Sequence, residues 1–541
     1  MLREMKSLRH VLLVALALAL VSCDKPVDSG AEIATLHRGL SIDPESVDPH
    51  KSRSVQAAEV LRDIGEGLLS YSASGELVGG VAKEWTVSED GLTYIFHLRD
   101  DARWSNGDAV TAEDFAFSFR RLVDPDTAAF YAEMLSSIVN VHATVAGEKA
   151  PQDIGVDAVD ERTLVITLEQ PTPYLLSLLT YPSTFPVHPA SIAQHGDDFA
   201  RPGNLLSNGA YKLDAWEPGS VLVLSRNIHY WNNDETAIDA VNHHVLTQEM
   251  TELNRYRAGE IHVTGSVPPD SFRQIRSERP SELHIAPYLG VYYYGFNLTK
   301  PPFKDNPQLR AALSMAIDRD VLVEQITGRG EEPAYSWVPP GVDNYEPRRL
   351  AYADMSQDER NAHARRLIHE AGYGPDNPLQ TELRYNTSDT QQRMALAIQS
   401  MWKEALGVET TLINEEFQVL LANTQAREVT QVFRSSWIGD YNDAHTFLNI
   451  MEGGNPANLP AYVSEEYDSL MQRAAEQVDL DRRRLWLEEA ERVLLADHPV
   501  IPLYFYVSKH LVSPEVAGWG DNVLDYHYSQ HLSLVPAGAT P

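Results

Sequence analysis

Residues 66–132 read EGLLSYSASGELVGGVAKEWTVSEDGLTYIFHLRDDARWSNGDAVTAEDFAFSFRRLVDPDTAAFYA, and two signals within them decide the class of fold. Asp90-Gly91 separates two runs rich in β-branched and aromatic residues across 85–98, with Tyr94, Phe96 and Leu98 recurring on one face of the second run, which is the pattern of a β-hairpin. Thr111-Ala112-Glu113-Asp114 then sets a hydroxyl three residues before a carboxylate, ahead of Phe115, Phe119 and Leu122 at helical spacing. Thr111 is expected to cap a helix. A hairpin followed at once by a helix points to a mixed α and β architecture.

Outward from this stretch the same alternation continues, with no fixed-period repeat. Strands are expected at 163–168, 221–225 and 291–296. A helix is expected from Pro307, a residue suited to a first turn, to about Ala316. Residues 391–406 and 464–496 are amphipathic helices, the second breaking near Asp479 and stopping before Pro499, and 501–507 alternates as a strand. The latter half reads as α/β, and the strand-rich first half as a mixed sheet.

The chain has 541 residues, 43% of them hydrophobic and 22% charged, the composition of a globular protein with a large core. Forty-four basic against 77 acidic residues give a formal charge of −33. Such a body repels nucleic acid and anionic membrane surfaces, so no nucleic-acid partner is expected.

One cysteine excludes an internal disulfide and a thiolate metal cluster, and its place is informative. Arg3, Lys6 and Arg9 precede an apolar run over 11–21, which is too short to span a bilayer and reads as the core of a signal peptide. The run ends in Leu20-Val21-Ser22-Cys23, which resembles a bacterial lipobox. Cleavage of residues 1–22 and lipidation of Cys23 are the implication. Losing three bases and one acid would leave an exported body of 519 residues with charge −35. Its lipid would be its one membrane attachment.

Several chemistries lack sequence support. No lysine follows a glycine, so there is no phosphate loop of the GxxxxGK type, and no serine has glycine two residues away on both sides. His369-Glu370 lacks a second histidine four residues on. His243-His244 are adjacent, so in a strand they face opposite ways and do not readily ligate one ion. No catalytic residue, cofactor or metal site is expected.

Residues 66–132 closely resemble the extracytoplasmic oligopeptide-binding proteins that serve ABC importers, the peptide/nickel-binding type of family 5 solute-binding proteins. SNGAYKLDAWEPGS from Ser207, LNRYRAGEI from Leu253, YYYGFNLTKPPF from Tyr292 with the following AALSMAIDRDVL, and SSWIGDYNDAHTFLNIM from Ser435 resemble the same family. The resemblance implies a non-enzymatic receptor with an α/β, two-lobed, hinge-closing (Venus-flytrap) fold and an extra subdomain inserted in lobe I. By block, lobe I comprises 24–65, 192–296 and 510–541, the inserted subdomain 66–191 and lobe II 297–509. The crossings then lie near Phe296-Asn297 and Lys509-His510. It further implies a monomer in the periplasm, anchored by lipid and, with Asp24 after Cys23, kept at the inner membrane, that hands short peptides with a free N-terminus to an ABC permease. Specialised ligands of the same family (murein tripeptide, dipeptides, haem, a metal chelate) and, from another class, a peptidase are the alternatives.

A receptor for peptides of arbitrary sequence must rely on what peptides share: backbone amides and two charged termini. The resemblance places Asp440 where the family's aspartate meets the ligand ammonium. Read alone, Asp440 could instead cap the helix that follows, with Asn442 and Asp443 competing for that role. Trp437 and Tyr131 match cleft-lining positions, and Arg434 matches a basic residue that receives the peptide carboxylate. Gln391 stands where such binders can carry a histidine. A neutral amide there leaves the preferred peptide length open.

Overall fold

A computed structural model describes residues 33–535, and the unit that starts at Thr35 contains the sheets discussed below. The signal segment, Cys23 and Asp24 lie outside the described residues. The hairpin forms from Ala82–Val87 and Thr93–Leu98, with Gly91 at φ +69° in the connection, where a side chain would strain the backbone. Tyr94, Phe96 and Leu98 are all buried. These strands and Val156–Asp160 and Thr163–Thr167 make a four-stranded antiparallel sheet, ordered 82–87, 93–98, 163–167, 156–160. The helix Ala112–Val123 covers it, started by the reciprocal box in which Thr111 accepts from the Asp114 amide and Asp114 accepts from the Thr111 amide. This region, within the segment expected as the inserted subdomain, has a hydrophobic cluster of its own.

A second four-stranded sheet pairs Thr35–Leu40 in parallel with Ala240–Val245, then continues antiparallel through Val221–Arg226 to Tyr211–Glu217. His243 and His244 face opposite ways in it: His243 meets Asp63 at 3.0 Å in the core, and His244 meets His37 at 2.9 Å.

The third sheet has six strands, ordered 332–333, 500–511, 283–296, 432–438, 380–386, 409–415. It carries the largest core, flanked by the helices Pro307–Met315, Asp389–Leu406, Glu465–Ala475 and Leu480–Asp497. Asp479 ends the interruption between the last two helices by accepting from the Arg482 amide as N-cap of the second.

Two long antiparallel strands, Leu283–Phe296 and Val500–Leu511, run from this sheet toward the Thr35–Leu40 sheet. Their far ends are tied there by the Arg38–Val263 and Val263–Val512 bridges and by Thr264. The first strand shifts register between Pro287 and Val291. Residues 290–296, which the expected division assigns to lobe I, pair with Val432–Ile438 inside the six-stranded sheet.

Candidate functional site

The strand Val432–Ile438 supplies most of the expected site residues. Its alternation puts Arg434, Ser436 and Ile438 on one face, opposite Tyr294, Tyr292 and Gly290 of the neighbouring strand, and Phe433, Ser435 and Trp437 on the other. Trp437 is half-buried against the large core, with its indole Nε1 buried and unbonded. Arg434 therefore shares a face with Tyr292 but not with Trp437.

Arg434 lays its guanidinium over the Tyr292 ring, 5.1 Å from the centroid, and has no carboxylate within ion-pair distance among the described residues. Its Nε is buried and unbonded, as is the Tyr294 hydroxyl. Tyr292 in turn donates its hydroxyl to Gln391 Oε1, in the first turn of Asp389–Leu406. Sequence reasoning named Gln391 and Arg434 separately and missed the tyrosine that joins them. The triplet Tyr292-Tyr293-Tyr294 was the available signal, because strand alternation sends its first and third members to one face.

Beyond Ile438 the chain turns at Gly439, where an added Cβ would lie 3.0 Å from Thr446 and 3.1 Å from the Phe447 ring, so the turn packs tightly on the short helix His445–Leu448. The Asp440 amide donates to Thr446 Oγ1 at 3.2 Å. The Asp440 carboxylate has no hydrogen bond or ion pair among the described residues. It is open to solvent on one side yet crowded by protein on the others, and this desolvation alone raises its pKa to about 6. The helix start is served by a different carboxylate: Asp443 accepts from the His445 amide at 2.8 Å and is held by Arg483 at 2.7 and 2.8 Å. Asn442 is occupied by the Asp343 amide. The capping role weighed for Asp440 is taken, and Asp440 is left free.

Tyr131 comes from the region of the first antiparallel sheet and stands edge-on to Phe130 and Tyr181, 4.9 Å from each. Its pKa is raised, first by burial and also by the negative charge of Asp440, which lies near enough to be felt by the phenol. Contact between the same regions is direct nearby, where Tyr174 stacks on Tyr441 at 4.8 Å and on His445 at 4.4 Å. The arrangement thus has an unpaired anion beside aromatic faces and an unpaired cation at the other end of one strand. Six residues of extended chain separate Asp440 from Arg434, at most about 20 Å. Such a surface suits an elongated zwitterion.

The family model described as bacterial extracellular solute-binding proteins, family 5 middle, matches residues 76–458. The periplasmic oligopeptide-binding protein OppA of Escherichia coli (strain K12) is 40% identical over 509 residues, covering 93% of this chain and 93% of that protein. Among solved structures, the unliganded open form of the periplasmic murein tripeptide binding protein MppA gives a TM-score of 0.86 at 36% identity, covering 93% of this chain and 98% of the other. A second structure, of Escherichia coli MppA, gives 0.76 at 37% identity, covering 93% and 99%. The fold is the two-lobed α/β fold of these periplasmic binding proteins.

Proposed function

We propose, because the chain belongs to the bacterial extracellular solute-binding proteins of family 5, that it is a receptor for short peptides with a free N-terminus, which it encloses between its lobes and hands to an ABC permease. Membership makes it a binding protein and not an enzyme. The observation that carries the peptide reading is the free Asp440 carboxylate: the protein crowded around it disfavours its charge, nothing among the described residues compensates it, and a ligand ammonium would. Arg434, equally without a counter-ion among the described residues, would take the ligand carboxylate, with Tyr292 and Gln391 beside it. Tyr131 and Trp437 would offer flat apolar faces to side chains of any kind. On this reading the hinge lies at the register shift 287–291 and the facing residues 505–507, the inserted subdomain is 66–191, and the protein acts as a monomer.

Peptides of about two to five residues are expected to raise the melting temperature of the purified protein, since a ligand specific for the native state stabilises it by RT ln(1 + [L]/Kd), about 2.7 kcal/mol at a hundredfold excess over Kd. Mass spectrometry of the same mixtures is expected to return the peptides intact. Cleaved peptides, or no shift across a diverse library, would defeat the reading. The likeness to MppA favours a second ligand, murein tripeptide, which also offers an amino group to Asp440. Binding of that ligand at least tenfold tighter than of ordinary tripeptides would select it.

Lipidation of Cys23 would hold the receptor at the membrane. Among the described residues no helix is long and apolar enough to cross one. Cys23→Ser is therefore expected to move the protein from washed membranes to the soluble fraction on immunoblots. Retention at the wild-type level would show another anchor.

A further inference from the structure

His510 is the penultimate residue of the strand Val500–Leu511, and the chain returns along it to bring Asp525 and His527 against its imidazole. Asp525 Oδ1 lies 2.8 Å from His510 Nε2 and 3.0 Å from His527 Nε2, and the donor atoms of all three residues fall within 4.8 Å of one another. We infer that His510, Asp525 and His527 form a binding site for a divalent transition metal ion of the zinc class.

Four features of the cluster fit an ion better than a chance meeting of polar side chains. A tetrahedral zinc ion with bonds of about 2.0–2.2 Å holds its donors roughly 3.3–3.5 Å apart, a spacing the carboxylate–imidazole distances of 2.8 and 3.0 Å approach to within about half an ångström, while all three donor atoms stay within 4.8 Å of one another. His510 Nδ1 donates to the Thr264 carbonyl oxygen at 2.8 Å, which orients the ring with Nε2 toward the site, the second-shell device usual for ligating histidines; the Nε2 hydrogen now shared with Asp525 would be released as an ion binds. The His527 ring is held by stacking on Trp519 at 3.6 Å, and it stands at 77° to the His510 ring, so the two nitrogens approach from different directions as corners of a polyhedron do. The histidine side chains are only 10% and 5% exposed whereas that of Asp525 is 26% exposed, which leaves a path for the ion and a place for a water ligand on one side. Two imidazoles and one carboxylate favour zinc, cobalt and nickel over magnesium and calcium, which prefer oxygen throughout.

A second histidine group among the described residues lacks these properties. His262 Nδ1 accepts from the His37 backbone amide, His37 Nδ1 and His244 Nε2 engage each other, and Arg255 approaches His244 at 3.5 Å. It serves as the internal control. The position of the proposed ion also has a consequence. The Leu289 amide of the strand Leu283–Phe296 donates to Val523 in the same return segment, so an ion at Asp525 would fasten that segment to both strands that join the lobes.

The test is a titration of chelator-treated protein, purified without a histidine tag, with Co²⁺, read by its visible d–d absorption, which is intense for four- or five-coordinate sites. One equivalent is expected to bind, Zn²⁺ to displace it, and Mg²⁺ and Ca²⁺ to leave it. Asp525→Asn and His527→Gln are each expected to weaken binding at least tenfold, and His244→Gln to leave it unchanged. Melting curves check that the variants are folded, and should Asp525→Asn fail that check, His527→Gln decides. Absence of a one-equivalent band, or the same band in the folded Asp525 and His527 variants, would overturn the site.

Discussion

Arg319→Met is expected to destabilise the protein by about 3–5 kcal/mol, measured by calorimetric melting, whereas Arg349→Ala is expected to change it by less than about 1 kcal/mol. Arg319 is fully buried and has no carboxylate partner among the described residues. Its charge is dispersed over oxygen atoms: Nε donates to Ala334 O at 2.8 Å and Pro502 O at 2.9 Å, Nη1 to Ser314 O at 3.1 Å, and Nη2 to Ser314 Oγ at 3.1 Å. The guanidinium also lies 4.9 Å from the Tyr335 ring centroid. One side chain thus joins the end of the helix Pro307–Met315 to the strand Val500–Leu511 and to the residue after Glu332–Pro333. Methionine can fill the volume, but it strands several buried acceptors at roughly 1–3 kcal/mol each before relaxation, so the loss lies well above the scale of an exposed ion pair. Arg349, paired with Asp354 at 2.7 Å, has side chains 55% and 88% exposed on the two partners, where solvent already screens the interaction. Equal losses for the two variants would show that the buried network contributes nothing beyond a surface contact.

That arginine lies in AALSMAIDRDVL, a segment quoted above for its family resemblance with no hint that Arg319 is buried, and this marks the boundary of what the sequence makes legible. Elements specified by neighbours in the chain are readable: the Asp90-Gly91 connection, the Thr111 box, Pro307 at the head of its helix, and the break that Asp479 caps. Each is fixed by a contact within a few residues. The length of Leu283–Phe296 is not readable in this way, because its apolar run is almost continuous and its register shift against Val500–Leu511 falls where Val432–Ile438 begins to pair on its other edge. The division between lobes expected at Phe296 follows the end of that run, while the chain's pairing changes several residues earlier. The same distinction governs the site. Whether Asp440 or Asp443 meets the amide that opens the short helix cannot be decided from YNDAH, since Asp443, which accepts from His445, is held in place by Arg483, forty residues away. The His510, Asp525 and His527 cluster is invisible to motif spacing, because Asp525 reaches it from a turn with φ of +58°.

Asp440→Asn is expected to weaken peptides with a free amino terminus by about 2–4 kcal/mol, roughly 30-fold to 1000-fold in Kd, since a buried ammonium would lose its counter-charge while staying desolvated. N-acetylated versions of the same peptides lack the cation, so they are expected to bind wild type poorly and to change little on mutation. Calorimetry with both ligand forms and both proteins closes a thermodynamic cycle that isolates the coupling. The raised pKa adds two further signatures. Ammonium binding requires the ionised carboxylate, so affinity for free peptides is expected to fall as pH drops through about 6 in wild type and to stay flat there in Asp440→Asn. In the ligand-free protein the sign is opposite. A carboxyl raised from 3.8 to about 6 binds its proton more tightly folded than unfolded, so its contribution to stability is lost as pH rises through that window and stands as a penalty above it. Asp440→Asn without ligand is therefore expected to melt higher than wild type at pH 7, with the gap closing toward pH 4. A helix cap would give the reverse, a variant less stable at neutral pH and equally impaired for free and acetylated peptides. The two roles move stability and affinity in different directions, so the pair of measurements separates an aspartate kept unpaired for a ligand from one that holds the fold together.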